Sequence, residues 1–198
     1  MEAAREAGRI LLNDMRLSGG PRGKGDKADA DSEAEAFVRD RIEAAFPADG
    51  IRGEELGFRD RAVGEGSDCL WLIDPNDGTQ AYLEGFRGAA VSIGVVRGGV
   101  PVLGVVFAYG APDDGGDFFS WAEGCGPLLR NGTPITRGWP QVLTPESIVL
   151  VSQHADQKAS VNAQIVSPAR FRAVPSVAYR LALCAAGDGD AAVSLAAP

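Results

Sequence analysis

A single histidine, His154, is too little to build a zinc cluster, and three cysteines at Cys69, Cys125 and Cys184 contain no CxxC pair. The cysteines therefore read as reduced, mostly buried side chains of a cytoplasmic protein. No apolar run approaches the roughly 20 residues that a membrane span needs. The N-terminal stretch MEAAREAGRILLNDMRL carries Glu2, Glu6 and Asp14 and lacks the unbroken apolar segment of a signal peptide, so none is expected. Basic charge is also short, with 19 Lys and Arg against 27 Asp and Glu and a net charge of −8. That balance argues against a nucleic-acid polymer or an anionic membrane as partner. It leaves room for a small anionic substrate, because a bound divalent ion inverts the local field.

What the chain does have is 198 residues, 45% of them hydrophobic, enough for one substantial core or two smaller joined ones. Ala3, Ala7, Ile10, Leu11 and Met15 recur at helical spacing, which predicts a first helix over residues 1–17. Residues 18–27 are a glycine-rich basic loop. A second apolar stripe predicts a helix from Asp31 to Phe46, stopped by Pro47 and capped near Asp31 or Ser32. The period then shortens. Leu70–Ile73 reads as a strand, Ala89–Val96 and Val102–Tyr109 as a hairpin through Arg97-Gly98-Gly99, and Asp117–Trp121 as a further strand. A polar stretch, Trp139–Ser147, marks a subdomain boundary, giving parts 1–139 and 140–198. Beyond it, Ile148–Val151 predicts a strand, Ser176–Ala186 a helix and Ala191–Leu195 a last strand. Such an order predicts a mixed α+β or α/β layered fold.

The most informative segment is Asp74-Pro75-Asn76-Asp77-Gly78-Thr79, directly after a buried strand. If Gly78-Thr79 opens a helix, the carboxylates of Asp74 and Asp77 converge near its start. Together with the Asn76 carbonyl they offer the oxygen ligands that a hard cation such as magnesium takes. A phosphate could then meet the N–H groups of Gly78 and Thr79. The competing reading is an Asx turn in which the aspartates bond their own backbone. Gly53-Glu54-Glu55 is a second acidic point and Asp29 with Asp31 a third; surface exposure and helix capping explain these equally well.

Three motifs give the chain a likeness: Ala30-Asp31 with Glu35, then Gly53-Glu54-Glu55, then Trp71-Leu72-Ile73-Asp74-Pro75-Asn76-Asp77-Gly78-Thr79 followed by Tyr82 and Gly85. Taken together in this order, they resemble the inositol monophosphatase superfamily of magnesium-dependent, lithium-sensitive phosphatases. The resemblance implies a layered αβαβα sandwich and hydrolysis of a small phosphate monoester by metal-activated water. It implies that Glu54, Asp74 and the Asn76 carbonyl hold a first cation, that Asp74 and Asp77 share a second, and that Asp31 and Thr79 orient the water. Two or three magnesium ions per site, replaceable by manganese, and a homodimer follow from the same likeness. The phosphorylated substrate would belong to the inositol phosphate, sugar phosphate or 3′-phosphoadenosine 5′-phosphate class.

A Trp-Asp element that completes the second metal site in this superfamily is expected only a few residues beyond Pro198, so the C-terminal part of the fold reads as missing. The alternative function is accordingly a catalytically impaired relative that binds a phosphorylated ligand or a protein. Counting back from that element puts Ser194 where the inositol-specific branch has an acidic contact to a substrate hydroxyl. Val151-Ser152-Gln153-His154 faintly resembles a stretch beside the adenosine pocket of the bisphosphate nucleotidase branch; a surface histidine is the plainer reading. Arg87, Arg170, Arg172 and Arg180 are substrate-contact candidates, each equally readable as a surface ion-pair partner.

Overall fold

The computed structural model describes residues 1–59, 67–136, 138, 140 and 142–194. Helix α1 (Glu2–Met15) buries Ala4, Ala7, Gly8 and Leu11 along one stripe; of the residues the spacing singled out, Ala7 and Leu11 are buried and Ala3, Ile10 and Met15 half-buried. A two-stranded ribbon follows, β1 (Gly23–Lys24) with β2 (Lys27–Ala28), where a loop was expected. It leads into α2 (Asp29–Ala45), whose N-cap is Ala28 without a side-chain cap. Neither Asp31 nor Ser32 caps this helix, which starts two residues before the expected point.

Among the described residues the main sheet contains eight strands: β3 (Gly50–Gly53), β4 (Phe58–Arg59), β5 (Cys69–Asp77), β6 (Ala90–Arg97), β7 (Val100–Ala108), β8 (Asp117–Ala122), β9 (Leu129–Arg130) and β10 (Thr133–Pro134). Their order is β10-β9-β8-β7-β6-β5-β3-β4, antiparallel except for the β3–β5 pair. The predicted hairpin is β6–β7, turning through Gly98 and Gly99, both at positive φ as a two-residue hairpin turn requires. Pro101 lies inside β7; a register shift at Val95/Val96 absorbs the pairing that proline cannot make. Between β5 and β6 sits the short helix α3 (Thr79–Leu83).

A second sheet is parallel, with order β12-β11-β13: β11 (Ile148–Val151), β12 (Arg170–Ala173) and β13 (Ala191–Ala192). A 3₁₀ turn (Gln153–Lys158) and α4 (Ala159–Ile165) connect β11 to β12, and α5 (Val177–Ala186) connects β12 to β13. The predicted end of the last strand at Leu195 lies outside the described residues, as does Trp139 at the expected subdomain boundary.

Three apolar clusters define the layers. The largest joins α1 and α2 to one face of the main sheet, through Leu11, Val38, Ile51, Ile73, Val91 and Phe107 among others. Phe119, Leu150, Tyr179 and Leu183 form a second, between the other face and the second sheet, with α5 in the middle. Val149, Val151, Ala155 and Val166 form a third, on the far side of β11. The layers therefore run helix, sheet, helix, sheet, helix, which is the expected αβαβα sandwich. Of the cysteines only Cys184 is buried; Cys69 is half-buried and Cys125 exposed, which corrects the expectation for two of them.

Candidate active site

Asp74-Pro75-Asn76-Asp77 is the end of β5, and within it Asp74 Oδ1 accepts from Asn76 N at 3.0 Å, the local side-chain bond of the Asx reading. Pairing with β6 runs regularly to Asp74↔Ser92 and resumes at Asp77↔Ala90, so β5 carries one extra residue. Proline has no N–H to pair, and the bulge falls there. In a regular strand, residues three apart face opposite ways. Here the bulge returns Asp77 to the face that Asp74 shares with α5 and turns Asn76 toward α2. Gly78 follows at φ 104°, a conformation in which a side chain would be strained, and hands the chain to α3.

On the α2 side, Asp31 is buried, and its carboxylate accepts a hydrogen bond from Asn76 Nδ2 at 2.8 Å. Thr79 Oγ1 lies 3.2 Å from the other carboxylate oxygen and 2.9 Å from the Asn76 carbonyl, so its one proton serves one of them at a time. Burial pushes the Asp31 carboxyl up to about 6, against the pull of these donors. Asn76 Oδ1 accepts from the Tyr109 hydroxyl at 2.5 Å.

Across the sheet, Asp77 Oδ2 accepts from Ser176 Oγ at 2.7 Å and from Ala178 N at 2.6 Å, at the head of α5. Ser176 is also the N-cap of that helix, accepting from Tyr179 N. The Asp74 carboxyl is pushed up to about 8, first by burial, then by the negative charges of Asp77 and Glu54, and it shares a hydrogen bond with Glu54. Glu54 is exposed, at the end of β3, with its N–H on the Ile73 carbonyl. A cavity of about 380 Å³ opens beside Glu54 and Asp74, lined also by Arg52, Gly53, Leu72, Ser92 and Gly94.

The loop bearing Glu54 is held from below by Glu35. This carboxylate is fully buried and accepts from Glu55 N at 2.7 Å, Leu56 N at 3.1 Å and Arg39 Nε at 2.9 Å. Gly53 passes so close that a Cβ there would stand 1.8 Å from Glu35 Oε1. The Asp31…Glu35 spacing was visible in sequence, but the role of Glu35 was not. Tyr109, Ser176 and the Asn76 side chain were missed as well; only the Asn76 carbonyl was expected to matter.

The structure brings Asp31, Asn76 and Thr79 together, and sets Asp74 against Glu54 and Asp77. Ser194 is exposed and follows Val193, whose carbonyl accepts from buried Arg180. Arg87 pairs with Asp114, the surface ion pair of the plainer reading, whereas Arg170 bonds the Glu146 backbone carbonyl and Arg180 is buried, which corrects the surface reading for Arg180. His154 is exposed beside a cavity of about 160 Å³ that Gln80, Glu84 and Phe86 also line. The oxygen-only donor set suits a hard divalent cation. Among the described residues, however, no group of three or more His, Cys, Asp or Glu side chains is arranged to hold a metal ion.

Residues 1–197 match the family model described as the Inositol monophosphatase family. The chain belongs to that family. It is 30% identical over 208 residues to the Nus factor SuhB of Xylella fastidiosa, covering 96% of this chain and 70% of that protein. A shorter match, 42% over 77 residues, is to the fructose-1,6-bisphosphatase/inositol-1-monophosphatase of Aquifex aeolicus, covering 39% of this chain and 28% of that one. Among solved structures, the Thermotoga maritima IMPase superposes with a TM-score of 0.77 at 26% identity, over 98% of this chain and 73% of that chain. The chain thus spans between about a quarter and three quarters of the length of these family members.

Proposed function

We propose that the chain carries the metal-binding and water-orienting part of a magnesium-dependent phosphomonoesterase acting on a small phosphorylated metabolite. The observation that carries this reading is the β5 bulge, where the Asn76 backbone gives its N–H to Asp74 Oδ1 at 3.0 Å and accepts from Thr79 Oγ1 at 2.9 Å on its carbonyl, so that the acids and the Asp31–Thr79 pair adjoin at the end of the strand. Glu54, Asp74, Asp77 and the Asn76 carbonyl are the proposed ligands. Bound magnesium, two or three ions replaceable by manganese, would lower the pKa of water and offset charge on the phosphate.

The rest falls to the protein. Asp31 and Thr79 orient the attacking water, and the near-neutral titration of Asp31 suits it to take one proton as the water oxygen bonds to phosphorus; the P–O ester bond breaks, its oxygen takes a proton from solvent to leave as the alcohol, and Asp31 returns its own proton to solvent. The N–H groups of Gly78 and Thr79 are proposed to face the phosphate; α3 has only five residues, so its dipole adds little. All these residues lie in the proposed first part, 1–139, while Ser194, the proposed substrate contact, lies in the second, 140–198. Among the described residues no helix is long and apolar enough to cross a membrane. A cytoplasmic homodimer is part of the same proposal.

Phosphate release from a panel of monoesters, measured against magnesium and manganese concentration, tests the reading. Turnover is expected to vanish after chelation, to return with either ion and not with zinc, and to be absent in Asp74→Asn protein whose circular dichroism is unchanged. Full activity in that variant sinks the site assignment.

A further inference from the structure

We propose that Tyr109 is a positioning residue for Asp31, acting through the side-chain amide of Asn76. The claim rests on the reading of Asp31 as the water-orienting carboxylate, and it adds a part that this reading does not require. The three groups form a directed chain. Tyr109 O–H donates to Asn76 Oδ1 at 2.5 Å, and Asn76 Nδ2 donates to Asp31 Oδ1 at 2.8 Å. Exposure is 2% for Tyr109 and 1% for Asn76, so the bond between them is sheltered from solvent.

An amide has one accepting and one donating end, and a half-turn about its last bond exchanges them. With Asn76 turned over, its oxygen would face the Asp31 carboxylate, which as an anion only accepts. The tyrosine hydroxyl, donating to Oδ1, favours the productive orientation from the other end. Asp31 is thereby held from two sides, by Asn76 on one oxygen and Thr79 on the other. Tyr109 is itself fixed, packed in the α1–α2 core and edge-on to Tyr82 at 6.5 Å. Its ring lies on the strand continuation after β7, 33 positions from Asn76, where no local motif would reveal it.

The test combines Tyr109→Phe, which removes only the hydroxyl, with Asn76→Leu, which removes the amide and keeps the backbone carbonyl. In magnesium-loaded protein, Tyr109→Phe is expected to lower kcat about tenfold with KM unchanged within about twofold, the loss of one aligned hydrogen bond. In the Asn76→Leu background the same substitution should leave kcat unchanged, since the hydroxyl then has nothing to orient. A ring with a merely structural role would instead lower stability alike in both backgrounds and leave the kcat of folded protein intact. A second readout needs neither metal nor substrate: hydrogen exchange at Asn76 Nδ2, followed by ¹⁵N NMR, should accelerate at least tenfold in Tyr109→Phe.

Unchanged exchange, or an equal kcat loss in both backgrounds, overturns the proposal. If Tyr109→Phe does not fold, Asn76→Leu alone must lower kcat comparably, and wild-type kcat there overturns it too. Should the unmodified protein release no phosphate from any substrate, the proposed activity fails, and amide exchange still decides the role of Tyr109.

Discussion

Replacing Gly53 with Ala tests how the Glu54 loop is held. The added methyl carbon would stand 1.8 Å from Glu35 Oε1 and 2.2 Å from its Cδ, so one of the two must move. Glu35 has nowhere to retreat, being fully buried and bonded to Arg39 Nε and to two backbone N–H groups, while Arg39 also reaches the Gly57 carbonyl. If the carboxylate yields, the N–H groups of Glu55 and Leu56 lose an ionised acceptor, at about 1.5–3 kcal/mol each. If the loop yields, the cost is that of overpacking, about 1–3 kcal/mol. Either route predicts a loss of about 3 kcal/mol, or a Tm lower by roughly 6–12 °C for a chain of this size. Urea and thermal unfolding of metal-free protein measure it. In a Glu35→Ala background, the same Gly53→Ala change should cost less than about 0.5 kcal/mol, because the colliding carboxylate is gone and sites in contact do not add. An equal cost in both backgrounds refutes the reasoning, as does a Gly53→Ala protein as stable as the parent.

The metal-free protein should become less stable as pH rises. Asp31 and Asp74 bind protons more tightly folded than unfolded, with folded values of about 6 and about 8 against 3.8, so raising the pH through this range strips protons held mainly by the native state. A decline on the order of 4 kcal/mol from about pH 5.5 to about pH 8.5 is expected in urea melts, and saturating magnesium should flatten it; a rise with pH would contradict the assignment. For substrate choice, a neutral Ser194 cannot offer the charge-assisted contact of an acidic side chain. Inositol 1-phosphate should therefore be a mediocre substrate beside 3′-phosphoadenosine 5′-phosphate, fructose 1,6-bisphosphate and histidinol phosphate; a tenfold lead in kcat/KM for it, about 1.4 kcal/mol, would remove Ser194 from the argument.

What the sequence made legible was local. The apolar run Leu70–Ile73 announced β5, the hairpin glycines announced β6–β7, and the acids of β5 stand within four consecutive positions. What stayed hidden depends on distant partners. Whether Asp74 and Asp77 share a face is decided by a bulge visible only once β6 is paired. Asp31 passed equally well for a helix cap until Asn76 and Thr79, more than forty positions away, were brought against it. Glu35 stood in the sequence only as a member of the Ala30-Asp31 motif, without a role, since nothing near it shows that the Glu55 loop lies over its carboxylate.

Two carboxylates on the main sheet grip the first turns of α5. Asp77 takes Ser176 Oγ and Ala178 N, and buried Asp117, already bound to Arg130, takes the Tyr179 hydroxyl at 3.0 Å. Oily contacts alone would let a helix creep along a sheet, since one greasy side chain fills much the same space as its neighbour. A slip of a single residue is about 1.5 Å along the axis, enough to part every one of these bonds. Asp77 therefore acts as a gauge pin: the same atom group proposed to meet the cation also sets how far along the sheet the second half of the molecule is allowed to sit.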